Sequence, residues 1–132
     1  MSDVPRAADM SIELLMSDTI AMVSPSTSIR DAAERLQVAE VGLLVVGTPD
    51  AVNGVVSERD IVRCVALGAD LDATPVEEIE SDHLKWATVD STVDTVAMEM
   101  MENYLRHMLV ADEAGQLVGV VSMRDVLSAY LA

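Results

Sequence analysis

Two nearly identical stretches carry the side chains best suited to chemistry. GVVSERDI occupies residues 54–61 and GVVSMRDV residues 119–126, and in each the serine is followed by an arginine and then by an aspartate. If a helix begins at the serine, its free N–H groups and the arginine can bind a phosphate. The aspartate can accept hydrogen bonds from a ribose diol. The repeated residue set therefore suits a nucleotide.

The same spacing also has a purely structural interpretation. Ser57 with Asp60, and Ser122 with Asp125, match a capping box. In that motif the serine accepts a hydrogen bond from the N–H three residues on, and the acidic side chain accepts one from the serine N–H. The arginine of each copy can likewise form an ordinary surface ion pair. The spacing alone leaves both interpretations open.

An internal repeat defines the elements that must position these residues. Residues 12–18 align with residues 76–82 at an offset of 64, and after one inserted residue Gly54 aligns with Gly119 at an offset of 65. A glycine just before the turn permits close approach of another group, although a packing constraint would also favour it. The chain is therefore a tandem duplication.

Each copy is predicted to run helix, strand, strand, helix, because its apolar period changes in that order. Ser/Thr residues suited to capping precede both first helices. The first helices begin near residues 29 and 93, the hairpins pair 41–46 with 52–56 and 105–110 with 117–121, and the last helices start at residues 57 and 122. Neither half can bury its helices and small sheet alone, so an α+β fold is expected in which the halves pack through their sheets about a pseudo-two-fold axis. A cleft between them is the expected ligand position.

Composition limits the class of protein. The 132 residues are 51% apolar but include no Phe and nine Met, so the interior should be aliphatic, with Cys64 as part of it. A net charge of −15 disfavours attraction to nucleic acid or anionic lipid. No apolar run is long enough to cross a bilayer, and the N-terminus lacks a signal-peptide pattern, so a cytoplasmic location is expected.

The histidines and the cysteine do not suggest an enzyme. His83 falls in a linker, and His107 lies on a strand with no Ser, Cys or carboxylate at a recognisable catalytic spacing. No metal-ligand spacing occurs either. We therefore expect no catalytic residues, no metal and no permanently bound cofactor.

The order of motifs resembles a pair of cystathionine-beta-synthase (CBS) domains, the tandem called a Bateman module. The family signature is Gly, two apolar residues, Ser or Thr, two variable residues, Asp and an apolar residue, and it is met at 54–61 and again at 119–126. VSPSTSIRDAAERL and VDSTVDTVAMEMM lie where the family has its first short strand and helix. The resemblance implies two repeats, residues 10–69 and 74–131.

The resemblance implies a regulatory module that binds AMP, ADP, ATP or S-adenosylmethionine between its repeats. Carried over by motif, Asp60 and Asp125 would hold ribose hydroxyls, with Ser57 and Ser122 near ribose or phosphate. The adenine pocket facing Asp125 would be lined by Thr27, Ala32, Val41, Gly42 and Leu43, and its mirror facing Asp60 by Ser91, Val96, Leu105, Arg106 and His107.

The two sites are not expected to be equivalent. The second copy has Arg106 and His107 where the first copy has Gly42 and Leu43. Their positive charge should favour a phosphate held near Ser122, Arg124 and Asp125. The site at Asp60 has Arg59 but no second cationic residue of this kind. Glu80 also stands where the first copy has Met16.

Because the sequence has no room for an attached enzyme or channel, any effector must be a separate, unknown protein. The resemblance also implies a homodimer formed through helices, with Met98, Met100 and Met101 as a candidate surface. The alternative is a dimerising scaffold that binds no nucleotide.

Overall fold

A computed structural model describes residues 6–131, which fold into four α-helices and two three-stranded sheets. The α+β class and the order of elements predicted from the sequence are confirmed. The chain divides into two compact units. The central unit spans Ile20–Leu84, and the terminal unit combines the described residues up to Thr19 with those from Lys85 onward. No helix between residues 6 and 131 is long and apolar enough to cross a membrane.

The central unit contains the elements of the first copy. They are β1 (Met22–Val23), α1 (Ile29–Ala39), β2 (Leu43–Thr48), β3 (Ala51–Ser57) and α2 (Glu58–Ala66). The sheet order is β1-β2-β3, with β1 parallel to β2 and β2 antiparallel to β3. The predicted hairpin is therefore present, and it leads directly into α2.

The terminal unit repeats this arrangement with the second copy. Its elements are β4 (Trp86–Thr88), α3 (Val93–Asn103), β5 (His107–Ala111), β6 (Leu117–Ser122) and α4 (Met123–Leu131). The sheet order is β4-β5-β6, again with one parallel and one antiparallel pair. The second predicted hairpin is likewise present.

The strands after the first helices begin two residues later than predicted, at Leu43 and His107. The reason is the helix C-terminus. Glu40 and Tyr104 adopt the left-handed conformation, with φ of 55° and 56°, without being glycine. The next N–H groups, of Val41 and Leu105, then donate back to carbonyls of the last helical turn. These residues therefore finish the helix.

Each unit has its own aliphatic core. Ala32, Leu36 and Val56 lie in the central core, and Cys64 is buried as predicted. The terminal core contains Met100, which is fully buried, so its proposed place on an exposed dimer surface is wrong. The residue follows the 3.6-residue period of α3 toward the sheet, whereas its neighbours on the helix, Met98 and Met101, are 53% and 70% exposed.

The last helices bury only part of their apolar face. Ile61 on α2 and Val126 on α4 pack on the cores of their units. Val62 and Leu127, the next residues along the chain, are more than half exposed. Both copies therefore have an exposed apolar strip on the last helix.

Short segments before each copy complete the core of the other copy's unit. Residues 12–14 and 76–78 form matching 3₁₀ turns, whose first residues, Ile12 and Val76, are fully buried. In the terminal unit Ile12 donates its N–H to the carbonyl of Ser91 (2.7 Å), and in the central unit Val76 donates to that of Thr27 (2.8 Å). The predicted repeats, 10–69 and 74–131, describe the period of the sequence, whereas the compact units exchange these segments.

Candidate functional site

In the central unit, the first repeated motif forms a capping box. The N–H of Ser57 donates to Asp60 Oδ2 (2.8 Å), and the N–H of Asp60 donates to Ser57 Oγ (3.2 Å). The hydroxyl of Ser57 also donates to the same Oδ2 (3.0 Å). One carboxylate oxygen of Asp60 is thus engaged in starting α2, as the structural interpretation of the spacing requires.

In the terminal unit, the second motif has the same geometry. The N–H of Ser122 donates to Asp125 Oδ2 (2.9 Å), and the N–H of Asp125 donates to Ser122 Oγ (3.1 Å). A carboxylate held by its Oδ2 presents its second oxygen at a fixed position. Capping and ligand binding are therefore compatible, because they can use different oxygens of one side chain.

The second oxygen distinguishes the two aspartates. Asp60 Oδ1 accepts a hydrogen bond from Arg63 Nη1 (3.4 Å), three residues further along α2. The corresponding residue on α4 is Ser128, whose hydroxyl donates to the backbone carbonyl of Asp125 (2.6 Å). The ion pairs formed within residues 6–131 do not include Asp125. A diol would therefore compete with an arginine at Asp60 but not at Asp125.

Arg106 and His107 lie beside the start of α4 in the same unit. The carbonyl of Arg106 accepts the first N–H of the helix, that of Met123 (2.8 Å), and His107 pairs with Ser122 across the β5–β6 ladder. The equivalent positions in the central unit have the same backbone contacts, since Glu58 donates to Gly42 (3.1 Å) and Leu43 pairs with Ser57. The sequence difference therefore becomes a difference in charge at one helix N-terminus.

The arginines named by the sequence are available for a ligand. Arg59, Arg106 and Arg124 are exposed, and none of them takes part in an ion pair within the described part of the chain. The ordinary surface ion pair, which was the structural alternative for Arg59 and Arg124, is absent there. Arg106 and Arg124 lie at the start of α4. The terminal unit therefore has two exposed arginines without an ion pair at this helix start, whereas the start of α2 has one, Arg59.

The apolar and small residues predicted to line adenine pockets fall into three groups. Thr27 and Ser91 lie in the turns before α1 and α3, where their carbonyls receive Val76 and Ile12. Ala32 and Val96 are fully buried in the cores of their units. The others are half-buried: Val41, Gly42 and Leu105 lie between helix and strand, and Leu43 is the first residue of β2.

The repeated glycines make room for the exchanged segments. A methyl group added at Gly54 would lie 2.7 Å from the carbonyl oxygen of Ser81, and one at Gly119 would lie 2.5 Å from the Met16 sulfur. The packing explanation for these glycines is therefore the one the structure supports. Sequence reasoning missed this contact, although the alignment of residues 12–18 with 76–82 was its visible signal.

The histidines and the acidic residues form no metal centre in the region from 6 to 131. No group of three or more His, Cys, Asp or Glu side chains there could hold a metal ion. His83 is exposed and lies 3.9 Å from Asp82.

Comparison with known proteins identifies the family. The CBS domain family matches the chain twice, at residues 9–67 and 76–132. The two matches cover most of the chain and coincide with the two repeated motifs. The chain is therefore a member of the CBS domain family, with two CBS domains in tandem.

Relatives and solved structures agree with this assignment. An uncharacterized 17.7 kDa protein from Acidianus ambivalens is 34% identical over 85% of this chain and 68% of its own length. A CBS domain-containing protein from Bacillus subtilis is 29% identical over 88% of this chain and 82% of its own. A CBS domain protein from Pyrobaculum aerophilum, solved in complex with AMP, has a TM-score of 0.80 and 30% identity over 92% of this chain and 98% of its own.

Proposed function

We propose that this tandem CBS protein is a regulatory module that binds an adenosine-containing nucleotide and acts on a separate protein. The observation that supports the proposal is the start of α4, where Asp125 caps the helix, Arg124 lies in its first turn, and the carbonyl of Arg106 accepts the first helical N–H. The AMP complex of the relative from Pyrobaculum aerophilum supports the ligand class.

The chemistry at α4 suits the two polar parts of such a ligand. The helix dipole at the start of α4 and the nearby guanidinium groups of Arg106 and Arg124 favour a phosphate. The carboxylate of Asp125, held by the Ser122 N–H, can accept hydrogen bonds from the two ribose hydroxyls. We include His107, which pairs with Ser122 on the adjacent strand, as a further candidate for the phosphate contacts.

Charge favours the terminal unit over the central one. With a net charge of −15, the protein repels an anion unless positive charge is concentrated near it. The central unit has Gly42 and Leu43 in place of the Arg-His pair, and Arg63 already binds Asp60. We therefore place the working site at Asp125 and expect one nucleotide per chain.

The base-contacting residues and the assembly remain proposals derived from the family. We keep Thr27, Val41, Gly42 and Leu43 as candidates for adenine contacts, because the family resemblance implies them. We also propose a homodimer through the exposed apolar strips of the helices. No catalytic role is proposed, because the residues gathered at α4 are those of a binding site.

A thermal-shift screen tests the ligand class. AMP, ADP, ATP and S-adenosylmethionine are each added to the protein, with the cytidine nucleotides as controls for charge alone. Ligand at a hundred times its dissociation constant adds about 2.7 kcal/mol of stability. Since 1 kcal/mol raises the melting temperature by roughly 2–8 °C over this range of domain sizes, a gain of this size should raise it by about 10 °C. Equal shifts with cytidine nucleotides would contradict adenine recognition, and no shift with any adenosyl ligand would favour the scaffold.

A further inference from the structure

One acidic side chain in the central unit occupies a position built for an apolar one. The 76–82 segment joins β3 through two hydrogen bonds between Val55 and Ser81, at 2.9 and 3.0 Å. Just before this bridge, the carboxyl group of Glu80 lies against the backbone of Gly54, where an added methyl group would be 2.8 Å from Oε2. The carboxyl group is thus part of the packing between segment and strand.

The terminal unit holds an apolar side chain at the matching position. There the matching bridge joins Ser17 and Val120, also through two hydrogen bonds, each of 2.9 Å. The thioether of Met16 lies against Gly119, as Glu80 lies against Gly54. Methionine packs there without a charge, whereas the same place in the central unit receives an ionisable group.

The surroundings of Glu80 oppose its ionisation. Its Oε2 is shielded from solvent and has no hydrogen-bond partner among the described residues. Partial burial, reinforced by the charges of Glu77 and Asp82, raises the pKa of Glu80 above its ordinary value. The strand it faces, Ala51–Ser57, contains no ionisable side chain, so β3 offers no compensating cation.

We propose that Glu80 is a pH-sensitive latch, whose neutral carboxyl group holds residues 76–82 on β3 and whose ionisation loosens them. Its folded-state pKa exceeds its unfolded one, so the stabilisation is complete below the unfolded pKa and is lost as pH rises through the folded pKa. β3 ends at Ser57, so the latch acts on the strand that leads into the cap of α2. The proposal does not depend on nucleotide binding.

Hydrogen exchange of the intact protein provides a local test with a built-in control. The amides of Ser81 and Ser17 donate equal 2.9 Å bonds in the two bridges. As pH rises, the protection factor of the Ser81 amide should fall relative to that of Ser17. The loss should reach about tenfold for each pH unit that separates the folded and unfolded pKa values of Glu80. In Glu80→Gln and Glu80→Met the ratio should stay constant, and in Met16→Glu the Ser17 amide should also become sensitive to pH.

Direct titration keeps the proposal testable if a variant fails to fold. The side-chain carboxyl carbon of Glu80 in the unaltered protein is followed by NMR as pH is raised, and its midpoint should lie above that of a glutamate in an unstructured peptide. A midpoint equal to that of the peptide, or a protection ratio that does not change with pH in the unaltered protein, would overturn the latch. So would the same change of ratio in Glu80→Gln.

Discussion

Replacing the two repeated glycines by alanine should destabilise the two units unequally. Neither Gly54 nor Gly119 has a positive φ, so alanine fits the backbone conformation at both. The cost must come from the added methyl group. At Gly54 this group would meet a backbone atom, the Ser81 oxygen, at 2.7 Å, whereas at Gly119 the nearest backbone atom, the Ser17 oxygen, is 3.0 Å away.

The magnitudes follow from these contacts. Overpacking a tight contact costs about 1–3 kcal/mol, and replacing a strand glycine by alanine returns about 0.5–1 kcal/mol. At Gly54 the obstacle is held in the Val55–Ser81 bridge and cannot move away, so we expect a net loss of about 1–2 kcal/mol. At Gly119 the closest group is the flexible Met16 thioether, so the loss should be below about 1 kcal/mol.

Urea unfolding of the two variants measures this difference. Midpoints should fall for both without a change of slope, and further for Gly54→Ala. Equal losses, or a larger loss for Gly119→Ala, would show that the exchanged segments do not set the size limit at these glycines.

The fold also predicts how the chain responds to division and to core substitution. Fragments 1–70 and 71–132 should show no cooperative unfolding by circular dichroism. Fragment 1–70 lacks the segment with Val76 that completes its core, and fragment 71–132 lacks the segment with Ile12. A sharp urea transition in either fragment would refute this. Met100→Ala should cost about 2–5 kcal/mol in urea unfolding, whereas the exposed Met101→Ala should stay within about 0.5 kcal/mol. Light scattering tests the proposed dimer: the unaltered chain should give twice the mass of 14.1 kDa, and Met101→Ala should give a lower mass. A single-chain mass for the unaltered protein would contradict the dimer.

Much of the fold could be predicted because local signals are strong and occur twice. The apolar period located the helices and hairpins, and Ser57 and Ser122 marked the starts of the last helices correctly. The strand starts were missed because the turns after α1 and α3 use Glu40 and Tyr104 in the left-handed conformation, without the glycine that usually signals it.

Long-range partners could not be predicted. The repeat showed that residues 12–18 resemble 76–82, but similarity does not say which copy each segment completes. Met100 and Met101 are adjacent and chemically identical, so only the exact phase of the helix separates core from surface. The pairing of Arg63 with Asp60 was visible as a three-residue spacing, yet its effect on the second oxygen needed coordinates.

The role of the aspartates illustrates a different limit. Capping and ribose binding require the same residue at the same place, so no pattern of residue types distinguishes them. The structure confirms the cap formed by the aspartate in both copies. The contact between Asp125 and a ribose is what we propose.

Calorimetric titration of AMP and ATP into the unaltered protein, Asp125→Ala and Asp60→Ala tests that proposal most directly. Both variants lose the aspartate half of a capping box, while the serine N-cap remains. Urea unfolding therefore checks that the two variants are comparably folded. The account predicts one nucleotide per chain. Affinity should fall about 10- to 150-fold in Asp125→Ala, as expected for a charge-assisted hydrogen bond of about 1.5–3 kcal/mol, and change little in Asp60→Ala. Equal losses in the two variants, or two equivalent nucleotides per chain, would contradict it.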